Sequence, residues 1–206
     1  TPLYSSAASD VYKRQQEARR WLGLADNAFV YLSLGQIRHY KGIDNLVAAF
    51  SQLNDATSEL VIAGNVHDPI YGEELAQLSC GRAGIHTWFQ YVPDSDLQYF
   101  MNACDVCVLP YRDVTTSGAA ILAFSFGKPI IAPALGGFTE LATNGRGIVY
   151  NPTADDGLLC ALQQARCTDM DEAGQKALTW AREHEWRVLA PRFAHIYADV
   201  LKAGGK

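Results

Sequence analysis

The chain has 206 residues, of which 49% are hydrophobic, and its formal net charge is −5. This length and composition suffice for one large domain with a substantial core that needs no disulfides. The acidic balance argues against a nucleic-acid-binding protein, so any anion site must be a local cluster of cations and backbone dipoles. No apolar run approaches the ~20 residues of a membrane-spanning helix. No signal peptide is visible, and the five scattered cysteines predict reduced thiols in a cytoplasmic protein.

The first segment, residues 1–28, is predicted to be a polar tail (Thr1–Gln16) followed by a short helix (Glu17–Leu22). From residue 29 onward, short apolar segments alternate with amphipathic ones, which predicts one domain over residues 29–206. The predicted strands are Phe29–Leu34, Glu59–Ala63, Ile85–Phe89, Val106–Leu109, Pro129–Ala132 and Gly147–Val149. The predicted helices between them are Ile43–Leu53, Tyr71–Cys80, Ser95–Cys104, Gly118–Phe126 and Phe138–Thr143. This order predicts an α/β fold, a Rossmann-like open parallel sheet of about six strands with helices on both faces.

Helices are also predicted after the last strand, over Asp171–Glu183 and Trp186–Leu201. The second of these carries an apolar stripe at i, i+3, i+4 spacing, which is more often typical of packing against a core than of a partner surface. The stripe consists of Trp186, Leu189, Phe193, Ile196, Tyr197 and Leu201.

The most informative stretch runs from Gly35 to Gly42, between the first predicted strand and the first helix. A helix N-terminus presents unpaired N–H groups and partial positive charge, and Lys41 adds a whole charge. A glycine turn with these groups favours a phosphate-bearing ligand. An ordinary solvated loop lysine would explain Lys41 alone equally well.

Two further loops are predicted to lie at the same edge of the sheet, because parallel strands end there together. The first precedes a helix with small hydroxyl residues and a glycine, which either hold an anion or form an ordinary N-cap. The second contains a glycine pair that permits close backbone approach, followed by an acid. The residues concerned are Thr116, Ser117 and Gly118 in the first loop, and Gly136, Gly137 and Glu140 in the second.

Cys104 and Cys107 match the C-x-x-C spacing of redox and zinc sites. They fall where a predicted helix ends and a strand begins, and Cys160 and Cys167 are too widely spaced to complete a zinc site. The favoured interpretation is two small buried residues, and no metal site is predicted.

In order and spacing, these motifs resemble the C-terminal, donor-binding half of a GT-B glycosyltransferase of the retaining family 4, or group 1, class. The resemblance extends from residue 29 to 201. It rests on Gly35…Lys41-Gly42, Ser117-Gly118 before Gly127-Lys128-Pro129, Gly136-Gly137…Glu140, and Gly145…Gly147 before Tyr150-Asn151-Pro152.

The resemblance implies transfer of a hexose from a nucleoside-diphosphate sugar, such as a UDP- or GDP-sugar, in polysaccharide biosynthesis. It implies no cofactor or metal in this half. The acceptor would be bound by an N-terminal domain of about 150–200 further residues that this sequence lacks. The chain is therefore expected to be a fragment that binds donor but is inactive alone. Any membrane association, which would make the cytoplasmic full-length protein peripheral, would come from the missing half.

The resemblance also assigns roles at the glycine loop and at the base pocket. Lys41 would bind the donor diphosphate, and Arg38 would supply the charge of the family's usual arginine, whose position Gln36 occupies. Gly35 would shape this loop. Val92 would line the base pocket, mainly through backbone contacts.

The family's E-x7-E pair falls on Val114 and Leu122, and neither residue is acidic. Asp113 lies one residue from the first position and is expected to take part of its role, so the predicted catalytic set is Lys41, Arg38 and Asp113. The predicted donor-binding set is Gly35, Gln36, Val92, Thr116, Ser117, Gly118, Gly136, Gly137 and Glu140.

Two alternatives remain open at this point. The missing carboxylates are compatible with a degenerate, binding-only domain without transferase activity. A different Rossmann-like protein, such as a dehydrogenase or epimerase, is opposed by two features. No G-x-G-x-x-G follows the first strand, and Ala63-Gly64-Asn65 places no acid at the end of the second.

Overall fold

The computed structural model describes residues 14–204, with side chains up to residue 197. It contains a six-stranded parallel sheet in the order β3-β2-β1-β4-β5-β6, which confirms the predicted α/β fold. The strands are β1 (Phe29–Leu34), β2 (Ser58–Ala63), β3 (Ile85–Trp88), β4 (Val106–Val108), β5 (Ile130–Pro133) and β6 (Gly147–Tyr150). The helices are α1 (residues 14–22), α2 (Ile43–Gln52), α3 (Pro69–Ser79), α4 (Asp94–Ala103), α5 (Gly118–Ser125), α6 (Phe138–Ala142), α7 (Gly157–Arg166), α8 (Met170–Glu183) and α9 (Trp186–Gly204).

The strand order changes direction between β1 and β4. Phe29 of β1 pairs with Ser58 of β2 on one side, and Tyr31 pairs with Val106 of β4 on the other. In open α/β sheets, ligands bind in the crevice at the carboxyl ends of the two strands that flank such a switch point. The loops that leave β1 and β4 are the two in which the sequence predicts a phosphate site.

Both faces of the sheet are buried. In β1, Val30 and Leu32 face one core and Tyr31 faces the other, because successive side chains of a strand point to opposite faces. The first core packs against α1, α4, α5, α6 and α8, and the second against α2, α3 and α7. This two-sided burial is the reason that the strands show continuous apolar runs without alternation.

Residues 14–22 belong to the domain and do not form a separate tail. Ala18 and Leu22 are buried in the first core, and Arg19 forms an ion pair with Asp105 at 2.9 Å (Nη2 to Oδ2). The helix predicted from residue 17 therefore already includes residue 14, and residue 28 does not separate two units. The rest of the predicted tail, residues 1–13, lies outside the described residues.

The apolar stripe of α9 is exposed. Trp186 is 73% exposed, Ile196 57% and Tyr197 68%, while Leu189 is half-buried, so the prediction that this stripe packs in the core is wrong for most of the side chains described. The reason is that other helices already cover both faces of the sheet. Leu201 lies beyond the described side chains. Neither α9 nor any other helix within residues 14–204 is long and apolar enough to cross a membrane.

Cys104 and Cys107 are buried at the junction of α4 and β4, with their Sγ atoms 4.0 Å apart and no disulfide between them. Their interpretation as small buried residues is confirmed. Within the described chain, no group of three or more His, Cys, Asp or Glu side chains is arranged to hold a metal ion.

Candidate functional site

The loop between β1 and α2 turns sharply and lies against the loop that leaves β4. His39–Lys41 forms a single 3-10 turn, and Gly42 follows with a left-handed φ of 64°. A Cβ atom at Gly42 would lie 2.2 Å from the carbonyl oxygen of Pro110. Only glycine permits this approach, and it brings Lys41 next to the second loop.

Lys41 and Arg38 form a positive cluster without a counter-charge. Lys41 Nζ lies 5.3 Å from the ring centroid of Tyr111, and burial, followed by the neighbouring Arg38, lowers the pKa of Lys41. Nζ would also lie only 3.2 Å from a Cβ added at Gly35. The Nε of Arg38 is buried without a hydrogen-bond partner. Among residues 14–197 neither cation forms an ion pair. A buried donor without a hydrogen-bond partner, such as Arg38 Nε, costs ~1–3 kcal/mol, and an anionic ligand that accepted its hydrogen bond would remove this cost.

Arg112 joins the two loops to each other. Its Nη1 lies 2.9 Å from Asp44 Oδ1 and its Nη2 2.5 Å from Oδ2, while Nη1 also donates to the carbonyl oxygen of His39 at 2.7 Å. Burial acts to raise the pKa of Asp44, but the hydrogen bonds from Arg112 and Tyr71 hold it below its ordinary value. The start of α2 and the loop after β4 are therefore fixed relative to one another.

Tyr111 connects Lys41 to the start of α5. Its buried ring makes edge contacts with Tyr40 at 5.9 Å and with Phe138 at 5.4 Å, measured between centroids. Burial raises the pKa of the Tyr111 hydroxyl, and the Ser117 side chain acts in the opposite direction. The sequence analysis did not select Tyr111. Its position just beyond the end of β4, where ligands bind in such sheets, is the signal that could have identified it.

The start of α5 has an ordinary N-cap. Ser117 Oγ accepts a hydrogen bond from the backbone N–H of Ala120 at 3.3 Å, and the Ser117 side chain is buried. Its oxygen therefore accepts the capping bond, while its O–H group is still a donor. The exposed hydroxyl of Thr116 and the first N–H groups of α5, which have no intrahelical acceptors, remain for a ligand.

The loop between β5 and α6 completes the same edge. Gly136 has a left-handed φ of 49°, and a Cβ there would lie 2.4 Å from the carbonyl oxygen of Val114. A Cβ at Gly137 would lie 3.7 Å from the carbonyl oxygen of Thr115. The three loops marked by the sequence are thus in contact, as predicted.

A cavity of about 810 Å³ lies between the starts of α5 and α6 and the end of α8. Five of the predicted residues line it, namely Thr116, Ser117, Gly118, Gly137 and Glu140. Much of the remaining wall comes from residues that the sequence analysis did not select for a site, among them Asn144, Arg146, Trp180, Glu183 and His184.

The other predicted residues, Gly35, Gln36, Arg38, Lys41, Val92, Asp113 and Gly136, do not line this cavity. Lys41 is connected to its edge through Tyr111, which contacts both Lys41 and a wall residue, Phe138. Asp113 is exposed, while Val92, between β3 and α4, is half-buried against the first core. The structure therefore arranges the predicted residues in two adjoining groups.

Comparison with known proteins identifies the family. The sequence profile described as Glycosyl transferases group 1 matches residues 14–169. The chain is 34% identical over 181 residues to GDP-mannose:glycolipid 4-beta-D-mannosyltransferase of Xanthomonas campestris pv. campestris, covering 85% of this chain and 49% of that protein. It is 32% identical over 200 residues to D-inositol 3-phosphate glycosyltransferase of Stackebrandtia nassauensis, covering 90% and 45%. The chain thus spans about half the length of the curated relatives it matches.

A solved structure shows the same fold. The C-terminal domain of LpcC, a glycosyl transferase group 1 family protein from Francisella tularensis, matches with a TM-score of 0.67 at 14% identity, covering 82% of this chain and 92% of that one. The profile match excludes the alternative of a dehydrogenase or epimerase. The chain belongs to the group 1 glycosyltransferases and has the fold of the C-terminal domain of these GT-B proteins.

Proposed function

We propose that this chain is the donor-binding half of a glycosyltransferase that transfers a hexose from a nucleoside-diphosphate sugar to an acceptor held by another domain. The observation that carries the proposal is the pair of cations, Lys41 and Arg38, which lie beside the switch point of the sheet and have no acidic partner in the described part of the chain. A diphosphate supplies the charge and the oxygen acceptors that this pair lacks. The printed name of the Xanthomonas relative, which specifies GDP-mannose, supports this ligand class.

In the proposed reaction, the bond between the anomeric carbon and the β-phosphate oxygen breaks, a bond forms between that carbon and an acceptor hydroxyl oxygen, and the hydroxyl proton leaves with the diphosphate. Negative charge grows on the leaving diphosphate, while the sugar becomes oxocarbenium-like. Lys41 and Arg38 stabilise this growing charge more than they stabilise the bound donor, which is the requirement for catalysis. Their partial burial strengthens the effect, because charges interact more strongly where water is excluded.

Retention of configuration is part of the proposal, with Asp113 contacting the donor sugar in place of a carboxylate at Val114. The printed name of the Xanthomonas relative specifies a β linkage. The anomeric configuration of the linkage formed by this chain's full-length enzyme is therefore the property to measure. The configuration of the product relative to the donor, measured by NMR, tests retention. An inverted product would refute it without affecting the proposed diphosphate site.

A binding domain without transferase activity is the second candidate. It is favoured by the apolar Val114 and Leu122, both of which pack against the first core. The transferase proposal predicts donor-dependent glycosylation once the chain is joined to an acceptor-binding half, and little or no turnover by the chain alone. A binding domain would take up donor in the joined protein and leave its sugar in place.

Calorimetric titration of the chain with GDP, UDP and ADP tests the proposed site. We expect Lys41→Ala to weaken diphosphate binding by ~10–100-fold, since a charged hydrogen bond contributes ~1.5–3 kcal/mol. The melting temperature should change little, because Lys41 has no ion pair to lose. Lys176→Ala on α8, which removes a surface lysine paired with Glu172, is the matched control and should bind normally. If the parent chain binds none of the three nucleotides, the proposal is wrong.

A further inference from the structure

We propose that the cavity between α5, α6 and α8 is a subsite for an uncharged, hydroxyl-rich saccharide, separate from the diphosphate position at Lys41. The proposal rests on the glycosyl-transfer function proposed above and gives one of its sugars a place. The volume of about 810 Å³ falls within the range of ligand sites.

The described wall of this cavity holds two carboxylates, Glu140 and Glu183, and one guanidinium, Arg146, so carboxylates outnumber cations there. Glu140 and Glu183 both line it, and within residues 14–197 neither forms an ion pair. Arg146 donates to the carbonyl oxygens of Leu141 and Glu140 and to the hydroxyl of Thr143, and it interacts electrostatically with both glutamates, so one positive charge stands against two negative ones. A diphosphate would be repelled here, whereas sugar hydroxyls can donate hydrogen bonds to both carboxylates.

His184 adds a fixed acceptor to the same wall. Its Nδ1 lies 2.8 Å from the carbonyl oxygen of Trp180, which can only accept, so Nδ1 carries the hydrogen. In the neutral ring Nε2 is then an acceptor. The imidazole is stacked on Trp180 with centroids 4.0 Å apart, and Trp180 makes an edge contact with the buried Phe124. The ring is therefore held in place by the core.

A rigid flat ring beside two carboxylates suits a hexose, which has a face of C–H groups bordered by hydroxyls. The cavity also reaches Thr116 and Gly118 at the start of α5. One residue, Tyr111, lies between this end of the cavity and Lys41. A sugar in the cavity would therefore lie near the diphosphate. The sugar could come from the donor or from the acceptor, which share the same hydroxyl chemistry.

Two variants remove the acceptors with little effect on the fold. Glu183→Gln neutralises one carboxylate at the end of α8, and His184→Phe keeps the stacked ring but removes both nitrogens. Matched controls are Glu73→Gln on α3 and His67→Phe before it, both exposed and outside the cavity. The probes are GDP, UDP, GDP-mannose and UDP-glucose by calorimetry, and methyl α-D-mannoside and methyl β-D-glucoside by saturation-transfer NMR.

We expect GDP and UDP affinities to stay within about twofold of the parent. Sugar-dependent binding should fall ~10-fold or more in Glu183→Gln, which loses a charged hydrogen bond, and ~2–10-fold in His184→Phe, which loses a neutral one. Loss confined to a nucleotide sugar assigns the cavity to the donor hexose, and loss confined to a methyl glycoside assigns it to the acceptor. The inference is overturned if the parent binds the diphosphates but shows no sugar-dependent binding, or if the cavity variants behave like their controls. A parent that binds no diphosphate overturns the proposed function instead.

Discussion

Replacing Gly42 with alanine tests how closely the two principal loops are held together. Gly42 has a φ of 64°, and its added Cβ would lie 2.2 Å from the Pro110 carbonyl oxygen, far inside van der Waals contact. The left-handed conformation costs an L-residue ~1–2 kcal/mol, and overpacking typically adds ~1–3 kcal/mol. We expect Gly42→Ala to lower the free energy of unfolding by ~2–5 kcal/mol.

Gly81→Ala separates the two contributions. Gly81 has a similar φ of 69°, but nothing lies within 4 Å of its added Cβ, so only the conformational cost applies. The difference between the two variants, ~1–3 kcal/mol, then measures the contact with Pro110. Urea denaturation gives both values, and each kcal/mol should appear as ~2–4 °C in melting temperature for a domain of this size.

The same substitution tests the site, because Gly42 directly follows Lys41. Loops that move apart to admit the new methyl group displace the ammonium from Tyr111, so Gly42→Ala should weaken diphosphate binding while Gly81→Ala should not. Equal destabilisation by the two variants would refute the close approach of the loops. Normal diphosphate affinity in a strongly destabilised Gly42→Ala would refute the dependence of Lys41 on that approach.

Three further predictions follow from burial and charge. Because burial and Arg38 lower the pKa of Lys41, diphosphate affinity should begin to fall below the ~10.4 at which an ordinary lysine titrates. Titrations of the parent and of Lys41→Arg, whose guanidinium stays charged, measure this between pH 7 and 10, and identical profiles would contradict it. Hydrogen bonds from Thr57, with help from Ser58 and Arg166, lower the pKa of Asp55 to about 2. A depressed carboxyl pKa stabilises the fold above the unfolded value of ~3.9 and ceases to do so as pH falls towards 2. Asp55→Asn should therefore be less stable than the parent at pH 6 in urea melts, and the deficit should shrink towards pH 3; a constant deficit would count against this. Finally, a disulfide reagent should label Cys80, Cys160 and Cys167 rapidly in the native chain, and Cys104 and Cys107 only after unfolding. Rapid labelling of all five thiols would show that the buried pair is accessible.

The sheet was predictable because its signal is local and strong. In β1, the central residues are all buried and, apart from Ser33, hydrophobic, whichever face they point to, so the strand stands out from its neighbours. The loops that follow parallel strands lie at one edge of the sheet. Topology alone therefore predicts that Lys41, Thr116 and Gly137 lie at the same edge.

Contacts between residues distant in the sequence could not be predicted in this way. Arg112 and Asp44 are 68 residues apart, and nothing local indicates that this arginine is paired while Arg38 is not. The same limit applies to α9, whose spacing correctly predicts an amphipathic helix but does not tell which surface its apolar face meets. Trp180 and His184 likewise join the cavity wall only because α8 packs beside α5.

The separation of charge along the edge gives the proposed site a direction. Lys41 and Arg38 lie at one end, Glu140 and Glu183 at the other, and Tyr111 between them. A nucleotide sugar has the same polarity, since a charged diphosphate is joined to a neutral sugar. In the reversed orientation the diphosphate would face two carboxylates and the cations would remain uncompensated, at a cost that grows as water is excluded. In the proposed complex, charge, more than the shape of the cavity, would therefore determine which end of the donor points towards α8.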